Sequence, residues 1–310
     1  MKNLVAGFAL GLASTILPAQ AADKLTVLLD WFANPDHAAI IVAQQGGYFA
    51  RAGLEVTLIE PADPSAPPRL VAAGQGDIAL TYQPNLYEQV KEGLPLVRVG
   101  AAIATPLNSL VVLADGPVKT IADLKGRTIG YSIAGFEQAL LATMLESAGL
   151  KLADVKLVDI NFALTPALAE GKVDAIIGAF RNFEVTELKQ AGKAARVFFP
   201  EEHGVPAYDE LIYVVQKDKV SAPVTGKFLD AVEAATLFTL NHPGEAWGLF
   251  IKAYPKLDDE LNKAAWADTL PRLAASPRAL DARRYLRFGE YMKARGLIDV
   301  VEPLARYVGQ

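Results

Sequence analysis

Hydrophobic and polar residues follow two different periods along most of the chain. From Asp23 to about Lys217, short runs of β-branched and other apolar residues alternate with longer stretches in which apolar residues are three or four positions apart. The short runs predict strands, and the longer stretches predict amphipathic helices. Regular alternation of the two is typical of an α/β fold with mainly parallel strands.

The pattern places the elements as follows. The predicted strands are Leu25–Leu29, Val56–Ile59, Ile78–Thr81, Val97–Ile103, Ser109–Leu113, Thr128–Tyr131, Val155–Ile160, Ala175–Ile177 and Leu211–Val215. The predicted helices between them are His37–Arg51, Pro68–Ala73, Asn85–Lys91, Phe136–Ser147, Pro166–Glu170 and Phe183–Gln190. After Lys217 the pattern predicts helices with no strands between them, at Phe228–Asn241, Gly244–Tyr254, Asp258–Asp268 and Pro277–Arg295. We therefore expect a helical C-terminal region.

Residues 1–21 have the pattern of a secretory signal peptide. Met1-Lys2-Asn3 is a short positive start, Leu4–Leu17 is uncharged and mostly apolar, and Ala19-Gln20-Ala21 is an A-x-A cleavage sequence. The apolar stretch is shorter than the roughly 20 residues that cross a bilayer. We therefore predict export to the periplasm of a protein that is not inserted in the membrane.

A weak internal repeat indicates two similar lobes. Each copy brackets a helix end, a Gly-x-x-Asp turn and a short buried strand. The residues Ala72, Gly74, Asp77 and Asn85 recur with the same spacing as Ala169, Gly171, Asp174 and Asn182. The same residue types are also common wherever a helix leads into a strand, so the repeat and the local preference remain alternatives.

Two apolar runs are able to connect such lobes, Ala104–Leu113 and Asp209–Val215. The predicted organisation is a signal peptide at 1–21, the first part of lobe 1 at 22–106, lobe 2 at 107–213, and the return of lobe 1 with the C-terminal helices at 214–310. Two crossings would form a hinge. Open α/β sheets bind ligands at the carboxyl ends of their strands, which predicts a cleft between the lobes.

Composition excludes several classes of function. The chain of 310 residues has no Cys, three His and a formal net charge of −5. Without Cys there is no disulfide framework or thiolate metal site, and an acidic chain lacks the basic face that nucleic acid requires. P-loop and H-E-x-x-H motifs are also absent from the sequence. We expect no cofactor, no metal and no nucleic-acid partner, and we expect a monomer.

One sequence approaches a catalytic motif. Gly130-Tyr131-Ser132-Ile133-Ala134 departs from the G-x-S-x-G pattern only at its last position, and His203 is a candidate base. A Ser at the end of a strand more often bonds a loop or a ligand. A periplasmic hydrolase is therefore an alternative that requires the Ser132 and His203 side chains to lie within hydrogen-bond reach.

Aromatic, amide and carboxyl side chains cluster near the ends of successive predicted strands. Flat aromatic faces with a few polar groups suit a planar, neutral heterocycle, because stacking supplies contact area and the polar groups fix orientation. Lys is missing from these loops and Arg181 is their only Arg, which disfavours strongly anionic ligands. The candidate ligand-binding residues are Trp31, Asn34, His37, Tyr82, Gln83, Asn85, Ser109, Phe136, Glu137, Asn161, Phe162, Asn182 and Glu210.

Several candidates have a structural alternative. The aromatic side chains of Trp31, Tyr82 and Phe162 are equally suited to core packing. His37 lies just inside a predicted helix start, where it could be a capping or surface residue. Glu137 could instead favour the dipole of its own helix, and Glu210 could simply mark the start of a strand.

Several segments together resemble one family. They are Leu29–His37, Gly46–Phe49, Gly53–Val56, Gly76–Ala79, Leu124–Tyr131 and Gly204–Leu211. From about Asp23 to Tyr254 the chain resembles the periplasmic solute-binding proteins of ABC importers, in the branch shared with sulfonate-binding proteins and fungal thiamine pyrimidine synthases. It is most similar to proteins that capture the thiamine pyrimidine precursor, N-formyl-4-amino-5-aminomethyl-2-methylpyrimidine or its hydroxymethyl relative.

The resemblance implies a two-lobed periplasmic-binding-protein fold of type II, in which two crossing strands form a hinge and the lobes close on the ligand. It also implies delivery to an ABC permease and its ATPase for thiamine salvage. Another small solute, such as a sulfonate or riboflavin, is the alternative ligand.

The synthase branch of the family is an alternative that the sequence disfavours. Fungal synthases use a Lys that carries pyridoxal phosphate, a His four residues later, and a Cys-rich iron motif. Aligning the Gly-x-x-Asp turn puts Thr81 and Asn85 at the positions of that Lys and that His, and the chain has no Cys. Without the amine no Schiff base forms. We therefore expect a protein that binds its ligand and is not an enzyme.

Overall fold

The computed structural model describes residues 21–309, so the signal peptide predicted at 1–21 lies outside the described residues except for its last position. The strands are β1 (Asp23–Leu28), β2 (Leu54–Ile59), β3 (Ile78–Thr81), β4 (Leu96–Ile103), β5 (Asn108–Leu113), β6 (Thr128–Tyr131), β7 (Lys156–Asp159), β8 (Ala175–Phe180), β9 (Ala195–Phe198) and β10 (Leu211–Gln216). The helices are α1 (Ala38–Gln45), α2 (Tyr48–Arg51), α3 (Pro67–Ala72), α4 (Gln83–Lys91), α5 (Phe136–Ser147), α6 (Leu164–Ala169), α7 (Glu184–Gln190), α8 (Pro223–Asn241), α9 (Pro243–Ala253), α10 (Glu260–Thr269) and α11 (Ala282–Ala294).

The strands form two five-stranded sheets with the same internal plan. The first sheet has the order β2-β1-β3-β10-β4, and the second has the order β7-β6-β8-β5-β9. In each sheet three neighbouring strands are parallel, and the fourth, β10 or β5, is antiparallel to both of its neighbours. The α/β class and the two-lobed architecture predicted from the sequence are confirmed.

The two copies of the predicted repeat make the same contacts. The Asp77 carboxylate accepts a hydrogen bond from the backbone N–H of Thr26 at 2.7 Å, and the Asp174 carboxylate accepts one from Thr128 at 2.9 Å. The glycine three residues before each aspartate has a positive φ, +76° in one copy and +70° in the other. Each aspartate thereby joins the start of one parallel strand to its neighbour.

The chain passes from the first sheet to the second at residues 104–107, the first crossing, and returns at residues 204–210, the second crossing. Together we call these segments the crossing region. The runs that we predicted to cross each begin in a crossing and continue as β5 or β10. The exact lobe boundaries proposed from the sequence stay a prediction.

Some predicted helices differ from the structure in their bounds. The segment predicted as one helix over His37–Arg51 forms a 3₁₀ turn at Pro35–His37 and then α1 and α2, which are separated at Gly47 with its left-handed φ of +72°. Helix α8 begins at Pro223, before the predicted Phe228. The last helix begins at Ala282, well after Pro277, where the Asp281 side chain caps it by accepting from the backbone N–H of Arg284.

Strand β9 was not predicted. It lies at the edge of the second sheet, pairs only with β5, and is at most half-buried. A short edge strand that contains Arg196 has little of the apolar periodicity on which the prediction relied. A central strand is recognised more easily because both of its faces are buried.

The C-terminal helices complete the first lobe and reach the second. Helices α8 and α9 pack on α1, whereas α10 contacts both the Pro35–His37 turn and α7. Among residues 21–309, no helix combines the length and the apolar character that a membrane crossing requires.

Candidate ligand-binding site

A cavity lies between the two sheets. The first lobe contributes Asp30, Trp31, Asn34, Asp36 and Tyr82 to its wall. The second contributes Ile133, Glu137, Leu164, Gly178, Phe180, Phe183 and Glu184. Most of these residues lie in or just after the carboxyl ends of β1, β3, β6 and β8, which is where open α/β sheets bind ligands.

Aromatic rings from the two lobes meet at the cavity. The Tyr82 ring stacks on Phe136, with centroids 5.4 Å apart and planes at 22°, and meets the edge of Phe180 at 6.4 Å. The Tyr82 hydroxyl donates to Asp30 at 2.8 Å. Burial, reinforced by the charge of Asp30, raises the pKa of Tyr82 well above its usual value, so the hydroxyl remains a donor.

His37 supports this wall from behind and does not line the cavity. Its Nδ1 accepts from the backbone N–H of Asn34 at 3.2 Å, and its Nε2 lies 3.0 Å from the Asp30 carboxylate. Because a backbone N–H can only donate, Nδ1 carries no proton, and Nε2 is the donor to Asp30. Asn34 uses its side-chain oxygen to accept from the N–H of Asp36 at 2.8 Å, which caps the 3₁₀ turn.

Glu137 brings a carboxyl group to the opposite wall. Its Oε2 accepts from the backbone N–H groups of Ser132 and Ile133 at 2.7 and 3.1 Å. Its Oε1 lies against Gly178, which has a φ of +104° and no room for a Cβ. Burial raises the pKa of Glu137 to about 8 although both hydrogen bonds oppose the shift. At neutral pH the group is therefore largely a carboxylic acid that is able to donate as well as accept.

Asp36 connects the two lobes at the cavity. Its Oδ1 accepts from the Asn182 side-chain N–H at 2.7 Å and from the Thr269 hydroxyl at 3.0 Å. Its Oδ2 is buried and has no hydrogen-bond partner among residues 21–309. Burial raises the pKa of Asp36 to about 6. Asp36 was absent from the residues predicted to bind ligand, and it offers an unused acceptor at the cavity wall.

The charge of the cavity has a single sign. Glu184 accepts from the backbone N–H of Phe180 at 2.6 Å, and burial raises its pKa to about 8. Four carboxyl groups, from Asp30, Asp36, Glu137 and Glu184, line the cavity, and within the described chain no Lys or Arg does. Such a wall suits a neutral or cationic ligand rich in N–H donors and disfavours an anion.

Three predicted residues lie in or near the crossing region instead of the cavity. Glu210 Oε2 accepts from the N–H groups of Leu107 and Asn108 at 2.5 and 2.9 Å, so it joins the second crossing to the first. Gln83 accepts from the N–H of Asp209 at 2.8 Å. Ser109 donates to the carbonyl of Ala179 at 2.6 Å. The polar groups of all three hold the backbone.

Arg181, the only Arg in the predicted ligand loops, also forms hydrogen bonds with the backbone. It donates to the carbonyls of Leu107 and Asn108 at 3.2 and 3.1 Å and forms a bidentate pair with Glu201 at 2.6 and 3.0 Å. It does not line the cavity. An anionic ligand therefore gains nothing from it.

The remaining predicted residues are placed differently. Asn161 is exposed, with the unusual φ of +50° for a residue other than Gly, and it does not line the cavity. Asn85 is buried in α4 away from the cavity wall. Phe162 packs edge-on against Trp31 with centroids 4.6 Å apart, beside the cavity. Of the predicted residues, Trp31, Asn34, Tyr82 and Glu137 therefore line one cavity, and Asn161 does not.

The pairing that a hydrolase requires is contradicted by the structure. The Ser132 hydroxyl donates to the carbonyl of Asn161, and His203 Nδ1 lies 3.3 Å from the Ser147 hydroxyl. Each side chain thus has a different partner, and Ser132 has no activating base.

Sequence reasoning missed several residues of the wall. Asp30 and Asp36 are direct neighbours in sequence of the predicted Trp31 and of His37, and Glu184 begins the helix after β8. The rule that polar residues at strand ends face a ligand would have included all three. Gly178 could have been recognised as a Gly within a buried strand, because such a Gly often marks a site where another group approaches the backbone closely.

The fold is that of the periplasmic binding proteins. The alkanesulfonate-binding protein SsuA from Xanthomonas axonopodis pv. citri superposes with a TM-score of 0.71 over 94% of this chain and 98% of that chain, at 19% identity. At this identity the likeness concerns the fold alone. The NMT1/THI5 like family model matches residues 34–246, and the chain belongs to this family. The family resemblance inferred from sequence is thus confirmed.

The relatives have related but different roles. A Haemophilus influenzae protein provisionally named for thiamine biosynthesis is 53% identical, over 99% of this chain and 98% of its own length. The formylaminopyrimidine-binding protein of Halalkalibacterium halodurans is 34% identical, over 75% of this chain and 71% of that protein. A 4-amino-5-hydroxymethyl-2-methylpyrimidine phosphate synthase of Legionella pneumophila is 27% identical, over 89% of this chain and 88% of the synthase.

Proposed function

We propose that this chain is the exported solute-binding component of an ABC importer, and that it captures a thiamine pyrimidine precursor for salvage. The ligand is N-formyl-4-amino-5-aminomethyl-2-methylpyrimidine or its hydroxymethyl relative, released chemically unchanged to a permease and its ATPase. The observation that carries the proposal is the cavity wall, which combines aromatic rings from both lobes with carboxyl groups and no cationic side chain in the described chain. The formylaminopyrimidine-binding relative supports the choice of ligand.

The chemistry of a 4-aminopyrimidine complements this wall. The ring is flat and suits the faces and edges of Trp31 and Tyr82. Its amino group donates a hydrogen bond, and the adjacent ring nitrogen accepts one. Glu137 Oε1, the carboxyl oxygen that does not bond to the backbone, is able to donate to the ring nitrogen or to accept from the amino group. Asp36 Oδ2 offers a further acceptor for an N–H of the ligand.

Capture takes place by closure of the lobes. The Tyr82–Phe136 stack and the Asp36–Asn182 hydrogen bond both join residues of the two lobes. A ligand that contacts both walls stabilises the closed state by its differential affinity for that state. The crossing region acts as the hinge, because it is the part of the chain that connects the sheets.

A synthase is the second candidate, since a synthase is among the relatives. The position of the reactive Lys is occupied by Thr81, which is buried at the end of β3, and Asn85 does not reach the cavity. The relative's name describes a phosphorylated product, and a wall of carboxyl groups without Lys or Arg offers a phosphate no cationic partner. A sulfonate is disfavoured for the same reason.

The test is to identify the small molecule that co-purifies with the protein. Mass spectrometry of the denatured, freshly purified protein should detect a 4-amino-2-methylpyrimidine. A thermal-shift assay with 4-amino-5-hydroxymethyl-2-methylpyrimidine should raise the melting temperature, because the ligand binds only the folded state. The phosphate monoester of the same compound serves as the matched comparison and should give no shift. Stabilisation by the phosphate but not by the alcohol would overturn the proposal in favour of the synthase branch.

A further inference from the structure

A second compartment adjoins the ligand cavity. It is partly open to solvent, and we call it the outer compartment. Both spaces are lined by the same five residues, Trp31, Asn34, Leu164, Phe183 and Glu184. A substituent on a ring held in the inner cavity therefore has space to extend past this shared wall.

Aromatic rings form one side of the outer compartment. Phe162 lies between two rings of the first lobe, with centroids 4.6 Å from Trp31 and 4.4 Å from Phe32. The Phe32 side chain is 46% exposed, an unusual fraction for a large apolar group. Open aromatic faces attract cations through the negative potential above the ring.

Carboxyl groups form the other side. Glu184 and Glu187 project from the first turn of α7, and Asp259 precedes α10. Asp259 accepts hydrogen bonds from the backbone N–H and the side-chain amide of Asn262. For the part of the chain that the structure describes, the lining of this compartment contains no Lys or Arg to neutralise these groups.

Two buried oxygen atoms in the same lining have no partner. Thr165 and Asn262 are 5% and 3% exposed, and neither Thr165 Oγ1 nor Asn262 Oδ1 forms a hydrogen bond with any residue between 21 and 309. Buried polar atoms are rarely left unpaired, because an unmade hydrogen bond costs about 1–3 kcal/mol. Both atoms accept hydrogen bonds, which points to a ligand that carries donors.

We propose that the outer compartment also receives a positively charged substituent attached to the ring in the inner cavity, so that besides the neutral precursors named above the protein binds pyrimidines with a cationic 5-substituent, and binds them more tightly than neutral ones of equal size. This inference rests on the proposed function, because the inner cavity must first hold the pyrimidine. Aromatic faces, carboxylates and unpaired acceptors all favour an ammonium or a heteroaromatic cation. None of them favours a neutral alkyl or acyl group to the same degree.

Two matched probes test the preference by calorimetry. They are 4-amino-5-aminomethyl-2-methylpyrimidine, which carries an ammonium group at pH 7, and 4-amino-5-hydroxymethyl-2-methylpyrimidine, which is neutral and nearly the same size. We expect the aminomethyl probe to bind about tenfold more tightly than the hydroxymethyl probe, because its ammonium group is attracted to the aromatic faces and the carboxyl groups of the compartment. Raising the salt concentration should reduce that ratio, because screening weakens charge attraction.

Paired variants assign the preference to the outer compartment. Glu187 lines the outer compartment and not the inner cavity, so Glu187→Gln should lower the ratio about threefold. Glu202→Gln removes the same charge from an exposed position in the second lobe that lines neither space, and should leave the ratio unchanged. Thermal unfolding establishes that both variants are folded.

The outcomes separate this inference from the proposed function. Binding of both probes with equal affinity, or a preference that Glu187→Gln does not reduce, overturns the inference and leaves the proposed function standing. Failure of the aminomethyl probe alone to bind also overturns the inference, and failure of both probes to bind overturns the proposed function itself. Preferential binding of the aminomethyl probe that falls in Glu187→Gln and persists in Glu202→Gln supports the inference.

Discussion

The inner cavity and the crossing region each contain a buried glutamate that accepts two consecutive backbone N–H bonds. Glu137 holds the loop after β6, and Glu210 holds the first crossing. They differ in the surroundings of the second carboxyl oxygen. Glu137 Oε1 lies at the cavity wall beside Gly178, whereas Glu210 Oε1 is sealed without a partner in the described residues. The same local motif can therefore serve ligand binding or backbone connection.

This contrast separates affinity from stability. Changes on the cavity wall should mainly affect ligand binding, and changes in the crossing region should mainly affect the free energy of unfolding. The predictions below test that separation, beginning with the change expected to have the largest effect.

Gly178→Ala should abolish detectable binding and strongly destabilise the protein. Its φ of +104° disfavours a side chain, and the new Cβ would collide with the Glu137 carboxyl group. We expect a loss of about 3 kcal/mol in the free energy of unfolding, measured in urea, from strain and overpacking together. Gly171→Ala is the control, because φ there is +70° but the space is open, and about 1 kcal/mol is expected with binding retained. Equal effects would mean that contact with Glu137 is unimportant.

Glu137→Gln should mainly lower the affinity for the ligand, and Glu210→Gln should mainly lower the free energy of unfolding. Gln keeps the size of Glu137 but places a fixed amide at the wall in place of a carboxyl that is able to donate or accept, so pyrimidine affinity should fall about tenfold, the effect of about one hydrogen bond between neutral groups. Glu210→Gln should lower the free energy of unfolding by about 1–3 kcal/mol, because three donors then share a weaker acceptor. Calorimetry and urea unfolding of both variants measure the two quantities, and a Glu210 variant with the larger affinity loss would break the comparison.

Trp31→Ala should lower pyrimidine affinity by about 1–3 kcal/mol, the typical effect of removing an aromatic platform from a base. Trp31 is half-buried at the cavity wall, so stability should change less. Trp247→Ala is the matched control, since Trp247 is also half-buried but packs on Trp266 and Phe250 away from both regions. Unchanged calorimetric affinity in Trp31→Ala would remove the stacking assignment.

The sequence predicted the cavity better than it predicted individual side chains. Parallel strands align their carboxyl ends within each lobe, and the two lobes were expected to face each other across a cleft, so Tyr82 after β3 and Glu137 after β6 were expected near one another. Whether a polar side chain at such an end faces the ligand depends on the backbone groups nearby. Gln83 and Glu210 follow the same rule in sequence, but unpaired N–H groups in the crossings take up their side-chain oxygens. That competition depends on tertiary contacts that no local pattern contains.

Asn161 and Asp36 show the same limit of sequence patterns. Asn161 was predicted to bind ligand and does not line the cavity, whereas Asp36 was not predicted and does. Asn161 follows a predicted strand, but its positive φ places it in a turn and leaves it exposed at the surface. Asp36 reads as a helix-start residue, yet Asn182 and Thr269, both distant in sequence, approach it when the chain folds. Contacts between lobes are invisible to periodicity, which describes one element at a time.

The unliganded protein should lose stability as the pH rises from about 5 to 8. Burial raises the pKa of Glu137 to about 8 and that of Glu210 to about 7. Unfolded glutamates ionise near about pH 4.3, so between these values the folded state holds more protons, and a higher pH favours unfolding. We expect a decrease of at least about 1 kcal/mol in urea unfolding between pH 5 and pH 8.

Each of these two glutamates should account for a part of this pH dependence. Glu137→Gln should reduce the slope up to about pH 8, where Glu184 also contributes, and Glu210→Gln should reduce it only up to about pH 7. A protein whose stability rises throughout this range would contradict the assignment of protonated carboxyl groups to both regions.

Tyr82→Phe and Tyr208→Phe make the finest comparison, because each tyrosine donates to a buried carboxylate. Tyr82 donates to Asp30 at 2.8 Å on the cavity wall, and Tyr208 donates to Glu210 at 3.0 Å in the second crossing. The ring that Tyr82→Phe retains still stacks on Phe136, so affinity should fall only about two- to fivefold as Asp30 loses one of its two donors. Tyr208→Phe should leave affinity within about twofold and lower the free energy of unfolding by about 1 kcal/mol. An affinity loss in Tyr82→Phe as large as that of Trp31→Ala would show that the hydroxyl, rather than the ring, is what the ligand depends on.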